Sequence, residues 1–352
     1  MNDDQQGLRM TMSARYLKAQ LDILAKLGFS HAQSFDILKI DPKLLSDPMC
    51  RIDVDDILPL LAAAETDLCD PCIGLKMGYQ FRPGSFAQTG AVYSHCKDLL
   101  QVIEINHRYQ RLAIDVGRAR HETVKSASDG KKNYMVFETY YDDHDRYRHI
   151  TDMVMGAYGT TYRWLSWGGG EKFMNVQFPY SKPADSSFHE TVFRCGLDFN
   201  CEKAAIELSE SMLSETLSTY DPEKLAIAVS RLDEALGAIT AEISFKKAVQ
   251  SAMRSALELG QISAAIVAKR LDMPERKLLS KMKKCGASYR KVLDNVRKDV
   301  FLQQYRQGQN FAAIAQNLAY NDQAAFNRAF RRWYDMSPGQ WEKTAQHQSV
   351  EA

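Results

Sequence analysis

The stretch Phe311-Ala-Ala-Ile-Ala-Gln-Asn-Leu-Ala-Tyr-Asn-Asp-Gln-Ala-Ala-Phe-Asn-Arg-Ala-Phe-Arg-Arg-Trp333 reads as two short helices joined by a tight turn. Ala315 is small where a second helix must cross closely, and Leu318 closes the first helix on its apolar side. Asn321 is placed to cap the second helix, because a short polar side chain can accept the orphan N–H groups of a first turn. Phe326 and Phe330, four apart, form its buried stripe, which leaves Gln323, Ala324, Asn327 and Arg328 pointing elsewhere. Arg331 and Arg332 lie nearer the C-terminal end of that helix.

An approximate copy precedes it. In Ser263-Ala-Ala-Ile-Val-Ala-Lys-Arg-Leu-Asp-Met-Pro-Glu-Arg-Lys-Leu-Leu-Ser-Lys-Met282, Ser263 is the expected N-cap and Ile266, Val267 and Leu271 face inward. Ala268 matches Ala315, the turn is Asp272-Met273, and Pro274 opens the second helix, where its missing N–H costs nothing. Leu278 and Met282 face the core, so Glu275, Arg276, Leu279, Ser280 and Lys283 occupy the outward faces. Between the copies, Tyr289, Leu293, Val296 and Val300 form one helical stripe within 288–308. Roughly twenty helical residues span about 30 Å, close to the ~34 Å of one B-DNA turn. A connector of that length can set two recognition helices into successive major-groove segments.

Charge agrees with this reading. Between Ser244 and Lys343 there are 19 Lys and Arg against 8 Asp and Glu, while the rest of the chain holds 26 against 36. The overall net charge of +1 therefore hides a basic segment on an acidic protein, the electrostatic footprint of a phosphate-backbone binder. Gln323 and Asn327 suit bidentate contact with adenine, and Arg328 suits guanine O6 and N7. Arg331 and Arg332 could read bases or hold phosphates and position the helix.

The segment from about 244 to 345 resembles the DNA-binding domain of the AraC/XylS family of transcriptional regulators. The resemblance is most specific over Ile314–Trp341, in Ala325-Phe-Asn-Arg-Ala-Phe-Arg-Arg-Trp333 and the following Met336-Ser-Pro. It implies double-stranded DNA as a partner, and RNA polymerase if the protein is an activator. Asp272 and Ala319 stand where the family usually has a turn glycine. Ser280 replaces a commonly basic position on the first recognition helix, and Leu279 a commonly polar one, so the second helix is the stronger reader.

Upstream, the pattern is mixed. Apolar positions at spacings of three and four mark helices over Tyr16–Leu27, stopped by Gly28, and over Val54–Ala64, Leu99–Leu112 and Ile150–Trp167. Tyr134–Tyr141, Phe173–Phe178 and Ala204–Leu208 read as strands, rich in β-branched and aromatic residues. The expected organisation is an α/β effector-sensing domain over 1–220, a connector over 221–243, an all-α double helix-turn-helix domain over 244–345 and a short tail over 346–352. Asp70–Gly78, Gly84–Val92 and Phe193–Leu213 resemble the arabinose-binding-type effector domain found in a subset of the same family. That resemblance implies a small-molecule effector without naming it, and a possible homodimer.

Other chemistries find little support. No apolar run reaches the roughly 18 residues a membrane span needs, the N-terminus is acidic and polar, and seven irregularly spaced cysteines fit a reducing, cytoplasmic setting. Cys69 and Cys72 form a lone CxxC, read as two small buried residues, with a redox pair or half a zinc site as the alternative. The acids and histidines of 142–149 read as a solvated loop, with a metal or acid–base site as the alternative. The glycines at 168–170 lack the Lys-Ser/Thr of a phosphate loop, and Gly-x-Ser-x-Gly and HExxH are absent. Neither a catalytic constellation nor a cofactor is expected. Tyr158, Tyr162, Trp164, Trp167 and Phe86 could line an effector pocket or simply pack a core. The main expectation is a ligand-responsive, sequence-specific transcriptional activator. An enzyme with a DNA-binding tail and a nonspecific DNA scaffold are the alternatives.

Overall fold

A computed structural model describes residues 10–47, 49–81, 89–126, 130–166, 172–285, 288–320, 322–334 and 336–342. Phe86, Trp167, the glycines at 168–170, Asn321, the N-terminal residues up to 9 and the tail from 343 lie outside the described residues. The chain divides into two compact units, Met1–Gly237 and Ala238–Ala352.

The N-terminal unit begins β1 (Thr11–Ser13), α1 (Ala14–Leu27), α2 (His31–Leu38), β2 (Arg51–Asp53), α3 (Leu58–Asp67), α4 (Ile73–Tyr79), α5 (Gly90–Tyr93) and α6 (Leu99–Tyr109). It continues β3 (Ile114–Asp115), β4 (Gly117–Ser126), β5 (Gly130–Thr139), α7 (Arg148–Leu165), β6 (Asn175–Gln177), α8 (Ser187–Phe193), β7 (Gly196–Asp198), β8 (Ala204–Leu208) and α9 (Glu210–Ser214). Two sheets result: a three-stranded one, β2-β1-β3, and a five-stranded one, β4-β5-β8-β6-β7, antiparallel except for the β6–β7 pair. Gly28 ends α1 in the left-handed region at φ 113, returning its own N–H and that of Phe29 to the last turn.

The three expected strands appear as β5, β6 and β8. The helix expected from Val54 starts later, at Leu58, because Pro59 suits a first turn and Arg51–Asp53 pair with β1 as a strand. Two long-range packings hold α7. Gly74 and Gly78 let α4 press against its backbone, where a Cβ would collide with the carbonyls of His149 and Met153. Inside the unit, Asp152 and His189 are fully buried, share a 3.2 Å contact, and are joined by the Tyr180 hydroxyl, which donates to Asp152.

Helix α10 (Pro222–Glu258) carries the chain from one unit to the other, and residues 221–243, expected as a connector, fall mostly within it. The C-terminal unit adds α11 (Ala264–Arg270), α12 (Glu275–Lys284), α13 (Tyr289–Arg306), α14 (Phe311–Asn317) and α15 (Gln323–Tyr334). Its core takes Phe245, Val249, Met253 and Leu257 from α10, Val267, Leu278 and Met282 from the first copy, and Ile314, Leu318, Phe326 and Phe330 from the second. Val296, Val300 and Phe301 of α13 join both halves. Ile266, expected inward, is only half-buried, and Ile262 packs there instead.

The two turns share one hydrogen-bond pattern. Met273 N–H bonds Ala268 O while Asp272 N–H bonds Lys269 O; Tyr320 N–H bonds Ala315 O while Ala319 N–H bonds Gln316 O. Asp272 and Ala319 sit in the left-handed region, at φ 50 and 52, which explains the physical demand for glycine at these positions. An alanine there costs about 1–2 kcal/mol, partly offset by the larger unfolded-state freedom of glycine. Ala319→Gly should therefore stabilise the C-terminal unit by about 0.5–1 kcal/mol, and Asp272→Gly by less, since Asp tolerates this region. Calorimetric unfolding of the full chain reads both.

One joint of the N-terminal unit titrates. Glu65 accepts from Arg148 and lies 2.9 Å from His149 Nε2. Burial opposes ionisation of Glu65, but hydrogen bonds and charge from Arg148 and His149 outweigh it and hold its carboxyl below the ordinary range. Burial in turn lowers His149 below its ordinary 6.5, against the pull of Glu65. The unfolded chain therefore binds a proton at His149 before the folded chain does, so stability is full above pH 6.5 and falls as pH drops below it. The thermal midpoint of the N-terminal unit should decline over that window, and His149→Gln should flatten the decline.

Candidate functional site

Recognition helices α12 and α15 begin forty-eight positions apart, whereas α11 and α14 begin forty-seven apart, so the second turn is one residue longer. With the forty-eight-residue offset, Leu278 and Met282 coincide with Phe326 and Phe330, all buried. The outward residues then coincide too: Glu275 with Gln323, Arg276 with Ala324, Leu279 with Asn327, Ser280 with Arg328 and Lys283 with Arg331. Helical geometry puts each set on one face, because the positions recur at one, four, five and eight.

Glu275, Arg276, Leu279, Ser280 and Lys283 are all exposed, and Leu279 leaves 40% of its surface in solvent. On α15, Gln323, Ala324, Arg328 and Arg331 are exposed and Asn327 is half-buried. Gln323 Nε2 donates to Asn327 Oδ1 at 3.2 Å, which aligns the two amides along the helix. Among the described residues, Arg328 and Arg331 have no acidic partner within ion-pair distance. Arg332 differs: its guanidinium bonds both oxygens of Asp294 on α13, at 2.9 and 3.0 Å. Arg332 thus ties the recognition helix to its scaffold, which leaves Arg331 as the freer cation at that end.

Three residues of α13 that no sequence pattern singled out do the positioning. Asp294 holds Arg332. Arg297 donates to the carbonyls of Leu318 and Ala319 at 3.0 and 3.2 Å and lies over the Tyr320 ring, satisfying the end of α14. Lys298 donates to Trp333 O at 3.1 Å, at the end of α15. A charged residue recurring on the flank of an apolar stripe was the available signal. The cap of α15 also shifts: Asp322, the neighbour of Asn321, accepts the Ala325 N–H at 2.6 Å.

The N-terminal unit holds a small apolar cavity of about 30 Å³ between α6, α7 and the larger sheet. Tyr158 and Tyr162, expected as linings, belong to it; Trp164 does not, and is 42% exposed. Tyr93, Val102, Asn106 and Phe173 contribute further walls. A second space, of about 20 Å³, is also lined by Asn106 and Tyr158. Helix α6 has another tie: Arg108 and the Tyr109 hydroxyl each donate to Asp233 Oδ1 of α10 at 2.7 Å.

The remaining motifs are structural in form. Cys72 is buried, 3.7 Å from His189 Nδ1, but Cys69 is exposed in a left-handed turn, so the pair is not two buried residues. Burial first, then Asp152, pushes the Cys72 thiol up to about 12, far from a nucleophilic thiolate. In the 142–149 loop the acids are largely solvated, yet Asp145 accepts the Ser181 N–H at 2.8 Å and Asp55 accepts from Tyr147. No cluster of three metal-ligating side chains occurs among the described residues, and no helix among them is long and apolar enough to cross a membrane.

Comparison with known proteins matches both units. Residues 28–217 match the arabinose-binding domain of AraC transcription regulators, N-terminal, and residues 267–344 match a helix-turn-helix domain. The ornithine utilization regulator of Pseudomonas aeruginosa is 24% identical over 343 residues, covering 93% of this chain and 94% of that one. The transcriptional regulator VirS of Mycobacterium tuberculosis is 27% identical over 158 residues, 45% of this chain and 46% of that one. A crystal structure of the transcriptional regulator CdpR from Pseudomonas aeruginosa aligns over 94% of this chain and 98% of its own, with 17% identity and a TM-score of 0.43. With its N-terminal domain and its helix-turn-helix region both matched, this chain belongs to the AraC family of DNA-binding transcription regulators.

Proposed function

We propose that this regulator is ligand-responsive, reading two successive major-groove segments through α12 and α15 while its N-terminal domain senses a small molecule. The observation that carries the reading is the superposable pair of outward faces on a single shared core. Helix α13, 18 residues long, spans about 27 Å, a length that supports engagement of one face of the duplex over about one turn. Base reading falls chiefly to Gln323, Asn327 and Arg328, with Arg331 on the phosphate backbone or an outer base. Arg276 and Lys283 support the first helix chiefly through phosphates, since Leu279 and Ser280 offer less directional readout.

Work in the cytoplasm fits the seven free cysteines. Activation through contact with RNA polymerase, and assembly as a homodimer, are parts of the proposal that rest on family resemblance. A regulatory rather than catalytic role is supported by Cys72, whose thiol beside His189 is pushed up to about 12 by burial and Asp152. The name of the relative suggests ornithine for that protein. Among the described residues, no charged side chain lines the cavity here.

Arg328→Ala should weaken specific DNA binding by about 1–3 kcal/mol and relax sequence preference. Footprinting with unchanged base preferences would show that the recognition face is misassigned, and equal affinity for random and cognate DNA would favour a scaffold. Asp233 joins the helix that lines the cavity to the helix that continues into the DNA-binding unit. The exposed Arg108–Asp233 pair contributes little, but Tyr109 loses its acceptor, so Asp233→Leu should cost about 1–3 kcal/mol. The ligand-induced change in operator affinity should disappear, and fluorescence-anisotropy titration with and without a compound found by thermal-shift screening checks it.

A further inference from the structure

A single exposed leucine is ordinary on a protein surface, but the place of Leu279 is not. Leu278 and Met282, both buried, fix which side of α12 meets the core. Leu279 then stands in the outward face, 40% of its surface in solvent and outside the set of side chains packed on that core. It is the fifth residue of α12, in the N-terminal half that reaches base edges when a recognition helix enters the major groove. Its counterpart on α15 is Asn327.

The neighbouring side chains define the surface that meets it. Helix α12 carries Arg276, Lys277, Lys281, Lys283 and Lys284 against the single acid Glu275. A density of like charge of this kind suits a polyanion, whereas the centre of a protein–protein interface is depleted of charged residues. Glu275 precedes Leu279 by four positions on the same stripe and is repelled by phosphate oxygens. The stripe of Glu275 and Leu279 therefore faces the bases, while Arg276 and Lys283 flank it. Leucine has neither donor nor acceptor, so placing it against an amine or carbonyl of a base removes water from that group and returns no hydrogen bond. The C5-methyl group of thymine is the apolar feature of the major-groove base edges.

We propose that Leu279 packs on the C5-methyl group of a thymine, which makes α12 the reader of one A·T pair by apolar contact. The assignment rests on the two-helix reading above and gives its first helix a base. Such a contact needs no directional bond, so it sits beside phosphate contacts from Arg276 and Lys283 and leaves hydrogen-bonded readout to Gln323, Asn327 and Arg328.

The test uses the full chain and the duplex it selects from a random-sequence library, with affinities read by fluorescence anisotropy. Each thymine is replaced singly by deoxyuridine, which deletes the methyl group and keeps the base pairing. At one thymine, deoxyuridine should weaken the wild-type chain about three- to fivefold, the effect of one buried methyl group, and change nothing in Leu279→Ala. A cytosine–guanine pair at that place should bind the wild-type chain more tightly when the cytosine is 5-methylated, and equally with or without the methyl group in the variant. Leu279→Gln keeps a long, helix-forming side chain; it should lose the same methyl dependence, and it serves if Leu279→Ala folds poorly.

A selected duplex in which no thymine behaves this way, or deoxyuridine effects that persist in both variants, overturns the contact. Unchanged affinity of both variants for the intact duplex also overturns it, and leaves Leu279 as plain surface or as a contact for another protein. Arg328→Ala separates this failure from failure of the wider reading. Relaxed base preferences in Arg328→Ala without a Leu279-dependent thymine remove the contact alone. A Leu279-dependent thymine with unchanged preferences in Arg328→Ala keeps the contact and removes the assigned face of α15.

Discussion

The DNA-binding unit depends on the burial of one aromatic side chain, Phe301, in the C-terminal half of α13. Its ring meets those of Tyr305, Phe311, Phe326, Phe330, Tyr334 and Trp341 at centroid distances between 5.0 and 6.4 Å. Edge-to-face and tilted pairs of this kind add to the stabilisation from burial itself. On the same helix, Val296 and Val300 share a core with residues of α10 and of the first helix-turn-helix. A single rigid helix therefore locates both recognition helices, and an interior packed to crystalline density leaves little freedom in their mutual placement.

Polar contacts then refine what packing sets. Asp294, Arg297 and Lys298 follow one flank of α13 and reach the second copy at Arg332, at the carbonyls ending α14 and at Trp333. Each satisfies a group that would otherwise be left at a helix end or beside the apolar core. The first copy has no equivalent set among the described contacts; there Lys281 lies over the Phe245 ring of α10 at 4.1 Å. The asymmetry matches the side chains presented outward. The better-anchored helix carries the amides and the arginine suited to bases.

In the N-terminal domain α7 plays the comparable part. Its tight side meets Gly74 and Gly78 of α4, and another side, with Tyr158 and Tyr162, borders the cavity. Helix α6 forms the opposite wall and bonds Asp233 through its last residues.

Much of this was legible in the chain itself. Apolar spacing, capping residues and the internal duplication located α11 to α15, and the clustering of 19 basic residues in one segment pointed to their polyanionic partner. The three-residue strands β1, β2 and β7 were not legible, because a period of two cannot declare itself over so short a run. Strand β4 was obscured because it edges its sheet and alternates little, with Arg118, Arg120, His121 and Glu122 along it. Asn106 left a faint trace, a polar residue on the apolar stripe of α6.

The sequence by itself determined the family, the helical DNA-binding unit and the residues facing outward from its recognition helices, because those follow from local periodicity. Only the tertiary structure decided that Arg332 is bound to Asp294 while Arg328 has no acidic partner among the described residues. It also decided that Asp322 caps α15, and that Tyr93, Asn106 and Tyr158 meet at one cavity. For the ion pair and the tyrosine–asparagine cluster the physical reason is sequence distance: such partners lie up to fifty-two positions apart, and long-range hydrogen bonds leave no periodic mark along the chain.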